Sequence, residues 1–275
     1  MRFVSLGIDA AWTDKEPSGL ALLEQINDEV KLLRCGRSYN EFISGVIDWS
    51  VVPKGSEPIL SEVLKSIPST IGIPDCIAVD MPISNKRISS RRSCDNEISS
   101  AYGARGAAVH SPTYERPGEI AVRLYEELNR EGYEWKLYNS EIASLNLIEV
   151  YPHSAIIEYF ELDYRYEYKV SKKNSYKSFK LLSPENRLIK LITNLNWLIN
   201  KLSIRVSNIA DYIKPLDINQ KYSTRELKGL EDLIDSIICS LVGLDYVNNN
   251  AIAYGKDDGA IWVPKNAKTF SQQDD

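Results

Sequence analysis

The chain has 275 residues, a size that allows one large domain or two small ones, and its 43% hydrophobic and 26% charged content fits a folded globular protein rather than a disordered or fibrous one. With 33 Lys and Arg against 38 Asp and Glu the net charge is −5, which excludes a uniformly basic nucleic-acid binder and leaves any such role to local patches. Cys35, Cys76, Cys94 and Cys239 lack the C-x-x-C spacing of zinc sites, and the first residues read neither as a signal peptide nor as a spanning helix. The expectation is a cytoplasmic protein with reduced thiols and no membrane partner.

In chain order, residues 3–9, 19–24 and 30–35 are apolar runs separated by turn formers, and predict a three-stranded antiparallel meander. Residues 59–67 carry helical spacing, and residues 74–80 form a continuous apolar run that suits a buried strand reached by a crossover. Residues 117–131 open at Pro117 and close before Gly132, as a helix does, and 145–151 is a second buried strand, ended by Pro152. A short helix over 154–160, an irregular connection over 161–180 and a helix over 184–202 follow. The last helix spans 223–246, with Ser223 and Glu226 matching a capping box. No linker divides the chain. It reads as a single α/β domain over 1–265, a mixed sheet with the meander plus parallel strands, flanked by helices, with insertions near 84–145 and 161–222 and a flexible tail at 266–275.

Asp9 and Asp80 each end an apolar strand, where open sheets bind their ligands. On the last helix Asp232 and Asp235 lie three apart and share a face, and Ser236, Cys239 and Gly243 continue it as a stripe of small residues suited to close approach. Buried aspartates need a counter-charge, and oxygen ligands without a His or Cys cluster suit a hard cation, Mg²⁺ or Mn²⁺. Four carboxylates can hold two such ions about 4 Å apart, the arrangement that hydrolyses phosphodiesters without a side-chain nucleophile. Against this stands the ordinary use of Asp at strand ends and helix starts. Glu149, on the second buried strand, either joins this group or pairs with an arginine such as Arg92.

Gly7-Ile8-Asp9, Ser18-Gly19-Leu20-Ala21-Leu22, Val79-Asp80-Met81-Pro82-Ile83, Arg92-Ser93-Cys94-Asp95, Glu149-Val150-Tyr151-Pro152, Asp232-Leu233-Ile234-Asp235-Ser236 and Trp262-Val263-Pro264 occur in this order. Together they resemble the domain of unknown function numbered 429, a family of predicted nucleases with an RNase H-like fold. The first and last acidic motifs are also similar to those of Holliday-junction resolvases, although Asp80 stands where those usually have Glu and Ser236 where they have Ala. The resemblance implies that Asp9 is the central metal ligand, that Asp80 or Glu149 supplies the next carboxylate, that Asp232 and Asp235 complete the site, and that Lys172 or Lys173 neighbours it.

Two local patches counter the acidic total. Residues 165–180 hold Arg165, Lys169, Lys172, Lys173, Lys177 and Lys180 against Glu167, interleaved with Tyr164, Tyr166, Tyr168, Tyr176 and Phe179, and residues 84–105 hold Lys86, Arg87, Arg91, Arg92 and Arg105 against Asp95 and Glu97. Such mixtures suit single-stranded or flexible nucleic acid, DNA or RNA, and mark Arg91, Arg92, Lys169, Lys172 and Lys177, with Trp12 beside Asp9, as substrate-binding candidates. The plain alternative is a solvated basic loop whose tyrosines cover the core. His110 and His153 fit general-acid or phosphate-orienting roles and equally fit turn and cap positions. The leading expectation is a metal-dependent nuclease with Asp9, Asp80, Asp232, Asp235, Glu149 and Lys173 as its catalytic set. Its rivals are a non-catalytic nucleic-acid- or protein-binding module with a degenerate site and, with a poor fit at 10–13, an actin- or hexokinase-type kinase.

Overall fold

The computed structural model describes residues 1–138 and 140–265. Strands β1 (Arg2–Asp9), β2 (Gly19–Ile26) and β3 (Glu29–Gly36) pair antiparallel, as the sequence pattern predicts. Asn27 takes a left-handed φ of 54° in the turn between β2 and β3, a conformation that Asn tolerates. Helices α1 (Tyr39–Ser44) and α2 (Leu60–Ser66) lead to β4 (Cys76–Val79), which lies parallel to β1. After α3 (Ser93–Tyr102), α4 (Glu119–Arg130) and the two-residue β5 (Glu134–Trp135), β6 (Asn146–Val150) lies parallel to β4. Helices α5 (Pro152–Tyr159), α6 (Pro184–Arg205) and α7 (Thr224–Val247) precede a hairpin of β7 (Ala251–Lys256) and β8 (Gly259–Pro264). The sheet runs β3-β2-β1-β4-β6-β8-β7, with β5 beside β6. The fold is therefore the mixed α/β sheet flanked by helices that the pattern predicts, extended by a hairpin beyond the acidic helix.

Strand alternation decides which core each residue joins. Ala21, Leu23, Cys76, Ala78, Ile148 and Val150 face a core shared with α5, α6 and α7. Leu6, Ile8, Leu22, Ile77, Val79 and Leu147 face the opposite core, closed by α1, α2 and α4. A smaller cluster packs Cys94, Ile98 and Tyr102 of α3 against Ile261 and Val263 of β8. All four cysteines are buried and unpaired, and among the described residues no helix is long and apolar enough to cross a membrane. The predicted tail at 266–275 lies outside the described residues.

Helix α7 starts at the predicted capping box, with Ser223 accepting from the Glu226 N–H and Glu226 accepting from the Ser223 N–H. From Gly229 to Leu244 every residue is buried, because the sheet covers one side and α5 and α6 approach the other. Each large apolar side chain so buried is worth about 1.5–3 kcal/mol relative to exposure. The small-residue stripe makes the contact with the sheet close. A Cβ on Gly7 would strike the Ser236 carbonyl oxygen, and one on Gly19 would strike the Asp232 carbonyl. Ser240 donates its hydroxyl to the Ser5 carbonyl oxygen at 2.8 Å, and Gly243 packs against Ser5 and Ala78.

Candidate functional site

Asp9 is the last residue of β1 and pairs with Gly19. Ile8 is in register with Val79, and the Asp80 N–H donates to the Ile8 carbonyl oxygen at 2.8 Å, so Asp9 and Asp80 stand side by side where two parallel strands end. Both carboxylates fall on the α7 face of the sheet. The contact of Gly19 with the Asp232 backbone brings the acidic turn of α7 down over the same end. Three elements distant in sequence thus bring Asp9, Asp80, Asp232 and Asp235 together.

Their electrostatics record this crowding. Burial, and then the charge of Asp9, push the Asp80 carboxyl well above the usual range. Burial raises Asp235 to about 6, with Lys169 opposing and Asp9 adding to the rise. Asp232 is raised by burial, opposed by Lys228 and reinforced by Asp9. Two lysines answer part of the charge. Lys169 pairs with Asp235 and lies 3.3 Å from Glu231, while Lys228 pairs with Asp232 and lies 3.0 Å from Glu231. Tyr168 donates its hydroxyl to the second Asp235 oxygen at 2.6 Å, and the Val170 N–H donates to Glu231. Burial works to raise Glu231, but the two ammonium groups outweigh it and hold its pKa below the usual value.

Asp9 and Asp80 have no such partner. Neither carboxylate takes part in an ion pair or hydrogen bond among the described residues, and Asp9 Oδ2 is buried with no partner at all. Five carboxylates against two ammonium groups leave −3 when all are ionised. An orphaned acceptor in a carboxylate-rich setting fits a hard divalent cation.

Glu149 lies elsewhere. It is in register with Val79, so alternation turns it to the opposite face from Asp80, into the company of Arg92. Arg92 makes two bonds to Glu149, at 2.6 and 2.7 Å, and its Nη2 also donates to Asp95 at 2.9 Å; the Ile83 N–H donates to Glu149 at 3.0 Å. Of the two roles the sequence leaves open for Glu149, the contacts are those of the arginine partner. Cys94, Asp95 and Glu149 each place one donor atom within 4.8 Å of the others, close enough to hold a metal ion, and they are the trio among the described residues that does so. The Arg92 guanidinium already supplies positive charge there. The four aspartates do not close to that spacing, with the two lysine ammonium groups held among them.

The remaining candidates divide. Trp12 lines two clefts that meet at Asp80, one of about 260 Å³ and one of about 910 Å³. Lys169 and Lys172 line the smaller cleft. Lys173 and Lys177 line neither, and Lys169, not Lys173, is the lysine that reaches the aspartates. Arg91 is spent within its own segment, on Asn96, Ser111 and the Asp95 carbonyl oxygen, and Arg92 is buried. The interleaved aromatics are mostly structural. Tyr168 and Phe179 are fully buried, and Tyr166 stacks on Trp197 at 4.3 Å, because this segment packs over α6 and α7 instead of looping into solvent. The sequence pattern gives no site role to Glu231 or Lys228, and offers Tyr168 only as one of the aromatics interleaved in a basic patch. For Lys228, Glu231 and Asp232 the spacing of three and four along one helix was a readable signal.

No curated protein and no solved structure matches this chain. A family model described as a protein of unknown function, DUF429, matches residues 7–258, which is most of the length and runs from the end of β1 to the turn before β8, so the chain belongs to that family.

Proposed function

We propose that the chain is a divalent-cation-dependent nuclease acting on DNA or RNA, with Mg²⁺ or Mn²⁺ held by Asp9, Asp80, Asp232 and Asp235. The observation that carries this reading is the buried Asp9 Oδ2, without any hydrogen-bond partner, at the point where two strand ends and the acidic turn of α7 meet. Such an atom is costly unless a cation answers it. A cation bound there would supply Lewis-acid stabilisation to the phosphoryl oxygens of a phosphodiester. The strand order, with a three-strand meander beside parallel strands and acidic residues at the strand ends, supports the RNase H-like relation that the motifs imply.

The protein's own groups have separable tasks. Asp9 and Asp80, free of partners, offer the open ligand positions. Tyr168 fixes the rotamer of Asp235. Lys169, shared between Asp235 and Glu231, stands where it can neutralise charge developing on a phosphate oxygen once Asp235 has another partner. Trp12, lining both clefts, offers a face for a base.

One observation favours a second reading, a non-catalytic binding module: Lys169 and Lys228 already neutralise part of the acidic centre. Cleavage of single-stranded and duplex oligonucleotides in Mg²⁺ and Mn²⁺ separates the two. The nuclease reading expects cleavage in the wild type, and its loss by at least about 100-fold in Asp9→Asn and Asp235→Asn with the circular dichroism unchanged. Full activity in both variants overturns it. Oligonucleotide binding with no cleavage and no thermal response to either cation favours the module.

A further inference from the structure

The smaller cleft has an acidic end and a basic end. The carboxylates that line it are Asp80, Glu231 and the Arg92-bound pair Asp95 and Glu149. Beyond them the wall is made by Tyr151, His153, Arg165 and Lys172. These residues sit next to the acidic centre because β6 hands over to α5 there: Val79 is in register with Glu149, so Tyr151 stands one residue beyond the level of Asp80.

Several observations at the basic end are independent of one another. Arg165 has no carboxylate partner among the described residues, and its Nε is buried without a hydrogen bond. His153 is 5% exposed, and its Nδ1 is likewise buried without a partner. Its ring is held edge-on by Tyr151 and Tyr168, each at 5.3 Å between centroids, so it has little freedom to turn toward another partner. Helix α5 starts at this wall with no capping side chain and no acidic residue in its first turn, where Pro152 carries no N–H and the Ser154 N–H donates to the Tyr151 carbonyl oxygen, which leaves the His153 N–H. A helix start presents partial positive charge. Burial, followed by the charges of Arg165 and Lys169, pushes the His153 pKa well below the usual value, so near neutral pH the ring is uncharged and carries one N–H. A cation has no place among Arg165, Lys172 and a helix start. An anion with several acceptor oxygens matches all of them.

We propose that the wall formed by Arg165, His153, Lys172 and the first turn of α5 is a phosphate-binding subsite, which seats a substrate phosphate beside the Asp9–Asp80–Asp235 centre. The identification of that phosphate as part of a nucleic acid rests on the nuclease reading; the binding of phosphate does not. The subsite gives the acidic centre a polarity. Without it a phosphodiester would meet the carboxylates of the acidic centre alone, and with it one phosphate is held by positive groups while its neighbour is presented to the aspartates.

The test uses the full chain in EDTA, titrated with inorganic phosphate against a chloride control of equal ionic strength, and read by calorimetry and thermal shift. Wild type is expected to bind phosphate, Arg165→Gln to weaken binding by about tenfold or more, and Asp235→Asn to retain it. Lys172→Gln, a change at a partly exposed side chain that leaves packing intact, is expected to weaken it by a smaller factor and keeps the test valid if the Arg165 variant does not fold. In oligonucleotide cleavage with Mn²⁺, Arg165→Gln should raise KM by about tenfold, with a much smaller effect on kcat. Absence of phosphate binding in wild type, or equal binding in wild type, Arg165→Gln and Lys172→Gln, overturns the subsite. Phosphate binding in a protein that cleaves nothing leaves the subsite standing and removes the nuclease reading, whereas cleavage without phosphate binding does the reverse.

Discussion

Two groups of buried and half-buried carboxylates lie near the same end of the sheet, on opposite faces, and they are answered differently. On one face Glu149 and Asp95 share the Arg92 guanidinium, a backbone N–H closes onto each carboxylate, and no oxygen of the pair is orphaned. On the other face five carboxylates share two lysines, Asp9 keeps a buried oxygen with no partner, and Asp80 is pushed up by burial and by its neighbour Asp9. A saturated cluster holds structure together. An unsaturated one carries a cost in the free protein that a ligand can remove, which is why the second is read as a site and the first as a brace.

The sharpest way to break this contrast is at Arg92. Arg92→Met leaves two buried carboxylates without their counter-charge and should lower stability by about 3–5 kcal/mol in urea denaturation. A loss below about 1 kcal/mol would mean that the brace is nothing of the kind. The opposite sign is expected at the site. Asp80→Asn removes like-charge repulsion and should raise the stability of the cation-free protein by about 1–2 kcal/mol while abolishing its thermal response to Mn²⁺. A destabilised Asp80→Asn protein would place Asp80 with the brace.

A carboxylate outside both groups separates burial from crowding. Asp245 on α7 accepts from the Tyr159 hydroxyl at 2.6 Å and is raised to about 6, chiefly by burial. The folded state therefore binds this proton more tightly than the unfolded chain, whose carboxyl titrates near 3.8. Its contribution to stability is complete below about pH 4 and is lost as pH rises through about 6. Asp245→Asn should flatten that part of the stability profile and gain about 1 kcal/mol or less at pH 7. An unaltered profile would assign the slope to the crowded aspartates instead.

Much of this was legible in the sequence because it rests on local rules. The meander, both buried strands, the capped start of α7 and the emergence of Asp9 and Asp80 at strand ends follow from alternation, turn residues and caps. The small-residue stripe on α7 likewise announced the close approach that Gly7 and Gly19 permit. Other features depended on tertiary partners. Whether Glu149 faced the site or an arginine depended on register against β4, since one residue of slip turns a side chain to the other face. Lys169 and Lys173 are indistinguishable as charges, and only the packing of Tyr168 and Val170 against the core selects the first. Helix α3, mostly polar in sequence, escaped because its periodic residues Cys94, Ile98 and Tyr102 are few and answer to the terminal hairpin. That hairpin was hidden for a converse reason: its Asp257-Asp258-Gly259 turn was a readable signal, but the preceding long helix looked like an ending.

The dependence of the acidic centre on α7 has a consequence for how the protein is made. Asp9 and Asp80 are translated early and Asp232 and Asp235 late, and α7 is held against β1 and β2 along most of its length. A nascent chain whose α7 has not yet left the ribosome has that stretch of the sheet uncovered and only two of the four aspartates, so the event that completes the hydrophobic core also assembles the acidic cluster.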